Sequence, residues 1–287
     1  MKTKLFIISF FLFLFTVNTS ASVKLSKDAT ISILTCSPGN ELYSLFGHTG
    51  IRVVDKANNM DIVFNYGTFD FATQGFYFKF ARGLLPYQLS CSEFRRFLSS
   101  YIHDERSVYS QTLNLDSIQK QYLMDLLVEN YEPANREYLY NFLYDNCSTR
   151  VRDIIEKSTG NQITWIAQPS TKSFWNLLDE YLGRSPWIQW GIHPILGSPA
   201  TSTATIHEQM FLPDYLMYRL DSAAYNGTPL VQPIETVYEA PEQDLSTPWY
   251  FSPFFVFAIC TLALILLLQK AKSHCLLKAV AIPFFIA

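Results

Sequence analysis

Leu45-Phe46-Gly47-His48-Thr49-Gly50-Ile51-Arg52-Val53 puts a histidine at the entry of a strand, with glycine just before it and again two residues on. Small neighbours let a substrate or another backbone come close to the imidazole. Thr49 to Val54 and Ile62 to Tyr66 read as β-type runs, and the turn formers Asp55-Lys56-Ala57-Asn58-Asn59-Met60-Asp61 lie between them. That pattern predicts a β-hairpin. A turn centred near residues 57 and 58 sets His48 across from residues 65 to 67, so Asn65 is placed to bond the ring. Asp70 and Asp145 are further candidates for that role.

Upstream, Ala29 to Cys36 is another β-type run. Downstream, Phe69 to Phe80 is aromatic-rich and reads as extended, and helices follow. Ser92 is placed to cap a helix with Phe94, Phe97, Leu98, Tyr101 and Ile102 on its apolar side. Asp116 with Gln119 forms a capping-box pattern ahead of Ile118, Tyr122, Leu123, Leu126 and Leu127. Thr171 opens a helix carrying Phe174, Trp175, Leu178 and Leu182. Ser185 to Thr205, rich in Pro, Gly and Ser, reads as a long loop, and a short helix is expected over Pro213 to Ser222. Strands followed mostly by helices make α+β the expected class.

The second informative stretch is Tyr144-Asp145-Asn146-Cys147-Ser148-Thr149-Arg150. Asn146 is a helix cap, which places Cys147 in the first turn, with Val151 and Ile154 on the same face. Unpaired amides and the positive helix end favour thiolate over thiol there and offer donors for an oxyanion. A cysteine nucleophile needs a base within hydrogen-bond reach and a third group to orient that base. Cys147, His48 and Asn65 are the catalytic candidates on that logic. His103, His193 and His207 read as surface or loop histidines. Trp165, Trp187 and Trp190 suit either a lipid-contacting groove or ordinary packing.

The ends point to export. Lys2 and Lys4 precede an apolar run of about 13 residues from Leu5 to Val17, and Thr19-Ser20-Ala21 offers small residues for cleavage. Residues 1–21 are read as a signal peptide. Tyr250 to Leu268 is uncharged over about 19 residues, with Trp249 and Tyr250 at one boundary and Lys270, Lys272 and Lys278 beyond the other. This is read as a transmembrane helix at 250–268 with the lysines in the cytoplasm. The expected organisation is therefore an exported catalytic domain over 22–225, a proline-bearing linker over 226–248, the span, and at 273–287 the start of a second apolar run. That last run suggests a truncated form of a multi-span protein. The expected location is the inner membrane with the catalytic domain in the periplasm. A net charge of −3 without a basic stretch argues against nucleic acid as a partner. No C-x-x-C or His-x-His pattern suggests a metal, and no cofactor is implied. One Cys36–Cys91 disulfide would leave Cys147 free, though sequence cannot establish it.

Gly47-His48-Thr49-Gly50-Ile51-Arg52-Val53 and Asp145-Asn146-Cys147-Ser148-Thr149-Arg150 together resemble the permuted branch of the papain-like NlpC superfamily, which includes lecithin:retinol acyltransferase. More closely, Leu34-Thr35-Cys36-Ser37-Pro38-Gly39, Gly47-His48-Thr49, Asn65-Tyr66-Gly67-Thr68-Phe69-Asp70-Phe71 and Tyr144-Asp145-Asn146-Cys147 resemble the N-terminal periplasmic domain of the Lnb-type lipoprotein N-acyltransferases. The resemblance covers roughly residues 25 to 190. It implies a permuted papain-like domain with antiparallel strands and helices, and His48 and Cys147 as the catalytic pair. It also implies the reaction: a phospholipid acyl chain passes to the cysteine as a thioester and then to the amino group of S-diacylglyceryl cysteine on a lipoprotein. Phospholipid, lipoprotein and membrane are the partners so implied. Two alternatives remain open: a cysteine peptidase or amidase acting on cell-wall peptides, and a non-enzymatic membrane-tethered binding module.

Overall fold

The computed structural model describes residues 23–69, 72–75, 79, 84–166, 170–183, 185–241 and 248–270. The signal peptide, Asp70, most of the aromatic stretch to Phe80 and the apolar run at 273–287 lie outside them.

The strands come first. β1 (Thr30–Cys36), β2 (His48–Asp55), β3 (Met60–Thr68) and β4 (Pro86–Glu93) pair antiparallel in sequence order. The chain continues with α1 (Phe94–His103), β5 (Val108–Thr112), α2 (Ser117–Tyr131), β6 (Glu137–Leu139) and α3 (Cys147–Ser158). After a two-residue strand β7 (Ile163–Thr164) come the helices α4 (Phe174–Leu182), α5 (Pro186–Leu196), α6 (Ile206–Gln209) and α7 (Pro213–Ser222). The strands β8 (Ala224–Tyr225), β9 (Thr228–Pro229) and β10 (Glu235–Tyr238) and the helix α8 (Pro253–Lys270) complete the described part. The main sheet has the order β10-β5-β1-β2-β3-β4-β6, and every pairing in it is antiparallel. The class is α+β.

Alternation along the strands divides the core. Ile31, Ile33, Ile51, Val53, Phe64 and Tyr66 face α2, α3 and α7, where Leu123, Leu127, Val151, Ile155 and Leu216 are buried. Leu34, Cys36 and Val63 face α1 through Phe97 and Tyr101. A third cluster joins α4 to three loops, through Leu45, Phe46, Leu143, Phe174, Leu178 and Phe211. Leu127 has no exposed surface at the centre of the first cluster. Leu127→Ala is expected to cost about 3 kcal/mol of unfolding free energy, from lost transfer energy plus the cavity left behind. Denaturant titration monitored by circular dichroism checks this.

Several expectations need correction. Among the described residues no helix is long and apolar enough to cross a membrane, so the transmembrane helix read at 250–268 is overturned. Trp249–Phe251 wind as a 3-10 turn, the α-helix begins only at Pro253, and its apolar run stops at Leu268, before Gln269 and Lys270. Its apolar part, at 1.5 Å per residue, reaches about 24 Å, short of the ~30 Å of a hydrocarbon core. Residues 226–248, read as a linker, contribute β10, which hydrogen-bonds to β5 and closes one edge of the sheet. The loop expected over Ser185 to Thr205 contains α5. Pro186 is tolerated because it sits in the first turn, where no amide partner is needed, and His193 Nε2 and Gln189 Nε2 both bond Asp179 of α4. Ser92 does not cap α1, because it is still paired with Val63 in the sheet. Ser173, not Thr171, caps α4.

The Cys36–Cys91 disulfide is also excluded: both thiols are free. They lie on β1 and β4, three strand spacings apart. That is roughly 14 Å, against an upper Cα separation near 7 Å for a bridge.

Candidate active site

The two informative stretches meet at one end of the sheet, and local packing explains how. The residues just before His48, Leu45 and Phe46, share a cluster with Leu143 and Phe142, which lie just before Cys147. The rings of Phe46 and Phe142 are 5.0 Å apart, and Phe211 lies 5.8 Å from Phe142. One apolar knot thus holds the approaches to both site residues.

Each approach is then fixed by hydrogen bonds. Asn146 caps α3 with its side-chain oxygen, which accepts from the amides of Ser148 at 2.9 Å and Thr149 at 3.0 Å. Its Nδ2 donates to the carbonyls of Phe142 and Phe211, both at 2.8 Å. The Thr149 hydroxyl accepts from the Asn146 amide and completes a reciprocal capping box. On the strand side, Gly47 has φ +80, and a Cβ there would lie 2.8 Å from the Cys36 carbonyl oxygen. Only glycine fits that approach. Thr49 Oγ1 and Ser148 Oγ, 2.8 Å apart, join β2 directly to α3.

The structure brings Cys147, His48 and Asn65 together. His48 Nε2 donates to Asn65 Oδ1, which is an acceptor only. Nδ1 is then the ring nitrogen with a lone pair to offer, and the imidazole also bonds the Cys147 thiol. The hairpin explains the placement. Its register pairs Asp55 with Met60 and Ile51 with Phe64, and the same spacing carries His48 to the level of Gly67, beside Asn65. Asp70 lies outside the described residues. Asp145 is not at the ring: it forms a two-pronged ion pair with Arg150, at 2.6 and 2.8 Å.

Electrostatics single out one of Cys36, Cys91 and Cys147. Burial pushes the Cys147 thiol up, but the charge and hydrogen bond of His48, the Thr49 amide and the Ser148 hydroxyl together bring it below the usual thiol value. Cys36, equally enclosed but only weakly compensated, is pushed up to about 12. Cys91 is raised by burial alone. Cys147 is the thiol arranged to ionise.

An aromatic wall surrounds the sulfur. Tyr87 stacks on Tyr140 at 4.2 Å, Phe69 lies 5.2 Å from Tyr87, and Tyr138 lies 6.4 Å from both Tyr66 and Tyr87. Tyr87, Tyr138 and Tyr140 are all held above the ordinary phenol value, first by burial and then by the nearby thiolate. Sequence reasoning missed these residues, because β4 and β6 pair across about 50 positions and nothing local marks their shared face. His207, read from the sequence as a surface or loop histidine, is exposed on α6. That residue lies with Asp153 and Glu156 on the outer side of α3, their side chains within 4.8 Å of one another. There Asp153 pairs with Arg152, and Glu156 accepts from both Trp165 and His207.

A family model described as the Lnb N-terminal periplasmic domain matches residues 16–179. The match spans more than half of the chain, includes His48, Asn65 and Cys147, and supports a periplasmic location. No curated protein and no solved structure matches the chain.

Proposed function

The chain belongs to the Lnb N-terminal periplasmic domain family, and from that premise we propose that it is a cysteine-dependent acyltransferase acting on lipids and lipoproteins in the periplasm. The observation that carries the reading is the Cys147 thiol, enclosed yet depressed, bonded to an imidazole whose other nitrogen is committed to Asn65. Histidine before cysteine in the chain, with an asparagine behind the histidine, fits a permuted papain-like domain.

In this reading the thiolate attacks the ester carbonyl of a phospholipid. His48, protonated by the thiol, returns the proton to the departing lysophospholipid oxygen. The amino group of an S-diacylglyceryl cysteine then attacks the thioester. His48 takes the amine proton, and the thiolate leaves. Asn65 keeps the ring oriented through both halves. The aromatic wall of Tyr87, Phe69 and Tyr140 favours an acyl chain over a charged peptide and helps to exclude water, which would otherwise hydrolyse the thioester. Donor and acceptor are both confined to a membrane surface, so the enzyme meets them at raised effective concentration there.

The test is chemical trapping. Incubated with phosphatidylethanolamine vesicles, the protein is expected to gain the mass of one acyl chain on Cys147. Adding a diacylated lipopeptide should discharge that chain onto the peptide amine. Turnover of soluble peptidoglycan fragments without any acyl adduct would replace this reading with the peptidase one.

A further inference from the structure

When a thiolate attacks a carbonyl, negative charge develops on the carbonyl oxygen, and donors must be waiting for it. The cap on α3 limits what the helix end can offer. Asn146 Oδ1 has taken up the Ser148 and Thr149 amides, which leaves the amide of Cys147 itself as the first-turn donor beside the sulfur. One donor is less than such sites ordinarily use.

Tyr138 supplies what is missing. Its hydroxyl is sealed from solvent and has no hydrogen-bond acceptor among the described residues. The neighbouring group is the Gly67 amide, itself a donor, so the hydroxyl proton is unspent. A buried hydroxyl left in this state is destabilising unless something arrives to accept from it. The space for an acceptor is present. A Cβ built on Gly67 would lie 3.6 Å from Cys147 Cβ, 4.0 Å from His48 Cε1 and 4.0 Å from Tyr138 Oη. Gly67 has φ +86, where side chains are rare, so the backbone itself keeps this space empty. The Cys147 side chain, the His48 ring and the unspent donor thus border one small space beside Gly67.

We propose that Tyr138 is a catalytic residue whose hydroxyl, with the Cys147 amide, holds the oxyanion of an acyl ester seated over Gly67. The assignment rests on the acyl-transfer reading above and adds a residue to it. In the step concerned, Cys147 Sγ bonds to the carbonyl carbon and the C=O π pair moves onto oxygen, which accepts from Tyr138. The pair returns as the ester C–O bond breaks, and the departing alkoxide takes the proton from His48. Tyr138 keeps its own proton throughout, as its burial and the adjacent thiolate require. Arg150 tunes the donor. Its guanidinium carbon lies 3.5 Å from the Tyr138 ring centroid and is held there by Asp145. A cation over the ring draws density from the phenol and fixes its plane.

The experiment compares wild type with Tyr138→Phe, which keeps the ring and its packing. Single-turnover acylation of Cys147 by dihexanoyl phosphatidylcholine is followed by intact mass, and alkylation of the same thiol by iodoacetamide is followed in parallel. Alkylation displaces iodide from a saturated carbon and creates no oxyanion, so it reports the thiolate alone. Acylation is expected to fall about a hundredfold or more, as for loss of one oxyanion donor, with alkylation unchanged. Undiminished acylation in the variant, or a parallel loss of alkylation, overturns the role of Tyr138 while leaving acyl transfer standing. A wild type that never acquires an acyl group overturns the acyl-transfer reading and this assignment with it.

Discussion

Cys147→Ala is expected to abolish transfer of an acyl chain to a diacylated lipopeptide, lowering the rate by at least about a thousandfold, the scale on which removal of a nucleophile acts. The fold should survive. The sulfur is a small part of the buried face of α3, and Val151, Ile154 and Ile155 continue to pack. Far-ultraviolet circular dichroism should overlay that of the wild type, and the acyl adduct should vanish from the mass spectrum. Lipopeptide N-acylation persisting in the variant, in a preparation free of other acyltransferases, would leave the thioester route without support. Serine at the same position is a stricter comparison. It preserves the volume but not the ionisation, because nothing at the site brings a hydroxyl within range of neutral pH.

His48→Ala is the second large effect. Acyl transfer should fall by about a thousandfold, within the range for loss of a general base. The more diagnostic result lies in the pH dependence of thiol alkylation. In the wild type the thiol is depressed, so the thiolate persists as pH falls below the ordinary cysteine value and is lost only on passing the lowered one. Burial is the largest influence on this sulfur, and it acts upward. Without the imidazole its main opponent is gone, and the Thr49 amide and Ser148 hydroxyl remain. The midpoint should therefore move up, and alkylation near pH 7 should slow, each unit of upward movement costing a factor of ten in thiolate. A midpoint that stays put would mean that His48 does not govern the sulfur.

The parts of this arrangement that sequence makes legible are those written locally. The hairpin around Asp55 to Asp61 sets a register, and the register carries Asn65 to the ring of His48. Asn146 announces the start of α3, because a side-chain acceptor two and three residues ahead of orphan amides is a short-range device. The capping box at Asp116 and Gln119 is legible for the same reason. What stays hidden depends on chain segments that meet only in the tertiary structure. Tyr138 lies on a three-residue strand whose partner, Tyr87, is far back in the sequence. The α5 helix is masked by Pro186 and Pro194, which count against a helix in composition although one sits in the first turn. The apolar run near residue 250 has the composition of a membrane span, but composition does not fix where the helix starts. Trp249–Phe251 are spent on a different turn.

The direct stitch between Thr49 and Ser148, with the apolar knot beside it, bears on the life of the chain before it folds. Each group that lowers Cys147 is either its immediate neighbour in α3 or comes from a hairpin about a hundred positions upstream. An unfolded chain has that cysteine as an ordinary, mostly protonated thiol. On the acyl-transfer reading, the chain would carry its nucleophile unactivated until the hairpin and α3 meet. Closing one long loop is what lowers the thiol. A defect that slows this closure would delay the appearance of a reactive sulfur even where the finished fold is sound.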